Sequence, residues 1–148
     1  MRDRSPGAWA TLLLAALLVL GASCSRTPPE QRLREQVSAM QAALEARDAR
    51  AFMDGVGEEF VGNGGMDRAA LQQVIRTQVL ANMRIGITLT PTEVALHGDR
   101  ATVRFTAMTT GGSGRFVPDR GQVYEVTSGW QDVDGQWRLY SAEWKPRL

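Results

Sequence analysis

The stretch G-W-Q-D-V-D-G-Q-W-R-L-Y-S-A-E-W, from Gly129 to Trp144, reads as a β-hairpin. Asp134-Gly135 is a strong turn signal, because a two-residue type I′ turn needs φ > 0 at both central positions. That turn sets a register in which Trp130 faces Leu139, Asp132 faces Trp137 and Glu125 faces Trp144. Val126, Trp130, Trp137 and Leu139 then share one face with Asp132. Val133, Tyr140 and Trp144 share the other. Three of the four tryptophans lie in this hairpin. An isolated hairpin is marginal in water, so these rings must pack on something the rest of the chain supplies.

Upstream of the hairpin the apolar residues recur with a period of two. Ile85, Ile87 and Leu89 alternate, then Val94 and Leu96 after Pro91, then Ala101, Val103 and Phe105 after a second turn at Gly98-Asp99. Alternation of this kind marks half-buried strands. The second turn pairs Val94 with Val103 and Glu93 with Arg104, an opposite-charge pair worth roughly 0.2–1 kcal/mol at a surface. A glycine-rich segment, Gly111 to Gly121, interrupts the strands, and its composition suits a mobile loop. Strand character resumes from Gln122 to Asp132.

Further back the period becomes helical. Leu33, Val37, Met40 and Leu44 mark one face of a helix over about Pro29 to Ala46. Asp48 caps a short second helix carrying Ala51, Phe52 and Val56, broken by Gly55 and Gly57. Glu58 to Val61 reads as a short strand and Gly62 to Gly65 as a loop. Asp67 caps a third helix to about Met83, with Leu71, Val74, Ile75 and Val79 as its buried face. Helices first and four antiparallel strands after them predict an α+β fold, its helices on one face of a curved sheet.

The N-terminus carries an address. Arg2 and Arg4 precede a run of 13 largely apolar residues, Ala8 to Leu20, shorter than the ~20 needed to span a bilayer. Small residues Gly21-Ala22-Ser23 and then Cys24 follow. This is the layout of a secretory signal peptide over residues 1–23. The small residues before the cysteine resemble a bacterial lipobox, although Gly21 stands where leucine is usual. The resemblance implies lipidation of Cys24, a tether over residues 24–29 stiffened by Pro28-Pro29, and a domain over residues 30–148. It places the domain in the bacterial cell envelope facing the periplasm, with the outer membrane favoured because no Asp follows the cysteine. Ordinary cleavage beside an incidental thiol is one alternative, and a retained membrane anchor is another.

The whole chain has a net charge of +1, and without residues 1–23 it carries 15 basic and 15 acidic side chains. Such a balance gives no electrostatic reason to expect nucleic acid as a partner. One cysteine and one histidine exclude a structural zinc cluster. No calcium-loop ladder, phosphate loop or nucleophile elbow is present, so no metal and no cofactor are expected.

The order of elements, with G-x-W-R-L-x-x-x-x-W at Gly135 to Trp144 and Ala49-Arg50-Ala51-Phe52 after the helix through Arg47, resembles the nuclear transport factor 2-like superfamily. That superfamily includes ketosteroid-isomerase and SnoaL-type folds. The resemblance implies a cone, a bent sheet wrapped round the long first helix with a cavity at the open end. Isomerase-like members use a carboxylate base and a tyrosine or protonated-acid donor there. Here the first helix offers no tyrosine on its inward stripe.

Asp132 is therefore the candidate base if there is catalysis, or else an ordinary turn residue. Trp130, Trp137, Tyr124, Tyr140 and Arg104 are the candidate ligand-binding residues. Arg104 is either a cavity cation or a surface partner of Glu93. Tyr124 and Tyr140 fall on opposite faces, so at most one of them lines a cavity. His97 sits at a hairpin tip and reads as a surface residue. The expected function is an exported, lipid-anchored domain that binds a small apolar ligand or an envelope protein without catalysis. The alternatives are a structural module dimerising through its sheet, and a SnoaL-type isomerase, cyclase or dehydratase.

Overall fold

A computed structural model describes residues 26–112 and 120–147. The expected signal peptide, Cys24 and most of the glycine-rich loop lie outside the described residues. Gly111, Gly112 and Gly121 lie within strands. Three α-helices lie within the described residues up to Ala81, α1 (Pro29–Glu45), α2 (Ala49–Asp54) and α3 (Arg68–Ala81), with one strand between α2 and α3. Six strands form one sheet: β1 (Val56–Val61), β2 (Arg84–Leu89), β3 (Glu93–His97), β4 (Arg100–Gly112), β5 (Arg120–Val133) and β6 (Gln136–Pro146). The spatial order is β1-β6-β5-β4-β2, and β3 also pairs with β4. The fold is α+β, a curved sheet packed against N-terminal helices. Among the described residues no helix is long and apolar enough to cross a membrane.

Local chemistry explains the helix ends. Pro29 occupies the first turn of α1, where its missing N–H costs nothing. The carboxylates of Asp48 and Asp67 accept from Ala51 N at 2.9 Å and Ala70 N at 2.8 Å, capping α2 and α3. Leu33, Val37, Met40 and Ala43 bury the inward face of α1. Leu71 is buried on α3, Ile75 and Val79 are half-buried, and Val74 is 40% exposed.

The β5–β6 turn forms as read, with Asp134 at φ 53° and Gly135 at φ 84°. Trp130 faces Leu139 and Asp132 faces Trp137. The register then slips between Gly129 and Trp130, because Tyr140 is an extra residue on β6. Beyond this bulge Val126 faces Trp144 and Glu125 faces Lys145. Trp144 therefore joins Val126, Trp130, Trp137 and Leu139 on the concave face, contrary to the expectation from an unbroken hairpin. Gly129 permits the slip, since a Cβ there would stand 2.4 Å from Ser141 Oγ and 2.8 Å from the Tyr140 ring.

Two further differences follow from long-range contacts. The short strand begins at Val56 and runs parallel to β6, so the sheet is not wholly antiparallel. Among the described residues five strands rather than four follow α3, because the edge is split around Pro91: β2 pairs with the second half of β4 and β3 with the first. Val94 faces Val103 and Glu93 faces Arg104 as expected.

The core lies between the concave face and the helices, with Leu33, Phe60, Val103, Trp130 and Trp137 almost wholly buried. The Trp137 indole donates to Pro29 O at 3.0 Å, fastening the start of α1 to the terminal hairpin 108 residues later.

Candidate functional site

The concave face does not close completely on the helices. Between them lies a cavity of about 310 Å³. Close-packed interiors leave few voids larger than one water, and this one has room for about ten at ~30 Å³ each. Helix α1 contributes Val37, Met40, Gln41 and Leu44. Phe52, Phe60, Leu71 and Ile75 form one side, while Phe105, Ala107, Val126, Trp130, Leu139 and Trp144 form the sheet wall.

The wall is apolar because strand alternation places these side chains inward while Arg104, Thr127 and Glu125 point outward. Its polar members are Gln41, Thr109, Tyr124 and Ser128. No Asp, Glu, His, Lys or Arg is among the described lining residues. Ser128 is 3% exposed, donates to Val103 O at 3.1 Å and accepts from Trp130 Nε1 at 2.9 Å. The Gln41 amide donates through Nε2 to Ile87 O at 2.8 Å.

The residues singled out from the sequence divide among three places. Trp130 and Tyr124 line the cavity. Trp137 instead borders a separate groove of about 610 Å³ beside Arg32, Gln36 and Arg138. Tyr140 and Arg104 lie on the convex face. The Tyr140 ring sits under Arg100, whose guanidinium carbon is 5.4 Å from the ring centre. Arg104 is exposed opposite Glu93, and no ion pair joins them among the described residues. Neither can touch a molecule held inside, because each points away from the concave side.

Asp132 is also outside the cavity. Its Oδ2 accepts from Arg32 Nη2 at 3.0 Å, and Arg32 also donates to Gly135 O. Its Oδ1 is buried without a protein partner. Tyr124 lies eight residues along the same strand, roughly 26 Å away at ~3.3 Å per residue. Asp132 therefore cannot share a proton with Tyr124, and an acid–base pair of those two residues is excluded. His97 is exposed at its hairpin tip. Among the described residues no group of three metal-ligating side chains converges.

Sequence reasoning missed several of the wall's members. Phe52 and Trp144 were visible as aromatic residues, but Gln41 carried no signal, being polar on an amphipathic helix. Trp144 was hidden by the bulge.

No family model and no curated protein matches the sequence. Solved structures match its shape. Bd1075 of Bdellovibrio bacteriovorus is similar over 79% of this chain, with a TM-score of 0.70 and 15% identity, and this chain spans 41% of that one. A proposed dehydratase of the NTF2-like family from Streptomyces avermitilis matches over 80% of this chain and 95% of its own, with a TM-score of 0.67 and 21% identity. An NTF2-like protein with a cystatin-like fold from Novosphingobium aromaticivorans matches over 90% and 87%, with a TM-score of 0.62 and 23% identity. The fold is thus NTF2-like.

Proposed function

We propose that the chain is an exported, lipid-anchored domain that binds a small, uncharged, apolar molecule without transforming it. One observation carries the binding part of this reading: a cavity of about 310 Å³ with apolar walls and no charged side chain among its described lining residues. The export and the anchor rest on the layout from Arg2 to Cys24 alone. That size is at the lower end for small-molecule sites. A buried unpaired charge is costly, so such a wall favours a neutral occupant. Acid–base chemistry would need a titratable pair at the wall, and a dehydratase-like neighbour of 21% identity does not supply one. Assembly through the sheet would be favoured by an apolar convex face, but that face carries Arg100, Thr102, Arg104, Thr106, Glu125 and Thr127.

The test is native mass spectrometry of residues 25–148 purified gently from the cell envelope. A reproducible extra mass of a few hundred daltons supports the reading. A bare monomer after mild extraction counts against ligand storage, and a bare dimer favours the scaffold. The anchor is tested separately by metabolic labelling with an alkynyl fatty acid. Label is expected on the wild-type chain and should vanish in Cys24→Ser.

A further inference from the structure

The hydrogen-bonding groups of the cavity wall are unequally spent. A carbonyl oxygen can only accept, so Ser128 must give its single hydroxyl proton to Val103 O. The Trp130 indole can only donate, so it occupies one lone pair of the same oxygen. A hydroxyl has two lone pairs, and the second remains. The Gln41 amide is oriented by the same logic. Ile87 O accepts from its Nε2, and Ile87 N donates to Glu45 Oε1 at 2.9 Å. Gln41 Oε1 is thus the end of the amide with no protein partner among the described residues.

The other two polar side chains follow suit. The Thr109 hydroxyl donates to Gln122 O and the Tyr124 hydroxyl to Gln122 Oε1. The Ser128 and Tyr124 hydroxyl protons are therefore committed to the protein, and the Thr109 proton is held only by a long contact of 3.4 Å. Four oxygens keep lone pairs, against two N–H groups, the second amide proton of Gln41 and the Trp144 indole.

We infer that the cavity selects apolar molecules carrying a hydroxyl group, and discriminates against the same skeleton bearing only an acceptor or an anion. The inference rests on the ligand-binding reading above and adds a polarity to it. A hydroxyl can donate to Gln41 Oε1 or Ser128 Oγ. An ether on the same skeleton meets those oxygens lone pair to lone pair and has only the two N–H groups to accept from, while a carboxylate finds no cation to compensate its desolvation.

The test uses three probes of one shape, 2-naphthol, 2-methoxynaphthalene and 2-naphthoate. Each is titrated calorimetrically into residues 26–148, which contain every described helix, strand and core residue. The naphthol is expected to bind about fivefold or more tightly than the ether, the worth of one neutral hydrogen bond, and the naphthoate at least a hundredfold more weakly. In Gln41→Met the naphthol-to-ether ratio should fall, leaving only the share owed to Ser128 Oγ, while ether binding persists. Equal or tighter binding of the ether or the naphthoate overturns the donor preference and leaves an apolar binding cavity standing. Failure of all three to bind overturns the ligand-binding reading itself. If Gln41→Met does not fold, as judged by circular dichroism, the three affinities of the unaltered chain still decide.

Discussion

The side-chain amide of Asn63 exchanges two hydrogen bonds with the backbone of Trp144, Nδ2 donating to Trp144 O at 2.7 Å and Trp144 N donating to Oδ1 at 3.1 Å. Asn63 thereby extends the pairing of β1 with β6 by one residue that is not itself in a strand. It holds the backbone of Trp144 while the indole faces the cavity. Asn63→Ala should lower stability by about 1–3 kcal/mol, since it leaves two part-buried backbone groups unpaired. Chemical denaturation checks this. An unchanged midpoint would mean that water replaces the amide without loss.

Arg32 and Asp132 form an ion pair whose side chains are only 29% and 18% exposed. Arg32→Met strands the carboxylate and should cost about 1–3 kcal/mol. Adding Asp132→Asn should restore part of that loss, which a double-mutant cycle measures. Asp132→Asn alone should leave probe binding in the cavity unchanged. Loss of binding in that variant would return Asp132 to the site.

Gly129 sits where the bulge brings Ser141 Oγ and the Tyr140 ring against its backbone. Gly129→Val must displace these groups and should destabilise by about 1–3 kcal/mol, the usual range for overpacking. A larger consequence is expected in the register. Cross-strand amide contacts observed by nuclear magnetic resonance should show whether Val126 still faces Trp144.

Ala107 is 7% exposed and lines the cavity. Ala107→Leu extends a side chain into open space, so it should leave the melting temperature unchanged or raise it. It should weaken binding of 2-naphthol at least tenfold. A strongly destabilised variant would indicate that the space beside Ala107 is smaller than the cavity's volume implies.

Much of the fold was legible because its signals are local. The Asp134-Gly135 turn, the Gly98-Asp99 turn, the Asp48 and Asp67 caps and the stripe of α1 each need only neighbouring residues. What escaped depends on groups far apart in the chain. The Tyr140 bulge relies on the bare backbone of Gly129 and the clamp from Asn63, so no pattern within β6 announces it. The parallel pairing of β1 has no hairpin to signal it. Asp132 read as a candidate base because its strand neighbours are tryptophans, yet its chemistry is set by an arginine 100 residues earlier. For the cavity, Trp130 and Tyr124 could be placed from alternation alone. Gln41 could not, since a glutamine on a helix is ordinary until the strand beside it is known.

Gln41 and Glu45 together grip both hydrogen-bonding groups of Ile87, so α1 borders β2 as a seventh strand would. Edge strands left open invite pairing with other chains, and this one is blocked at its midpoint. The same grip ties helix to sheet beside the cavity, which Gln41 and Ile87 both line. Helix and sheet cannot drift apart to admit a wider guest without first surrendering two bonds at Ile87. A chamber braced in this way should sort a homologous series by girth, accepting members up to a sharp cut-off and refusing the next, where an unbraced one would loosen by degrees.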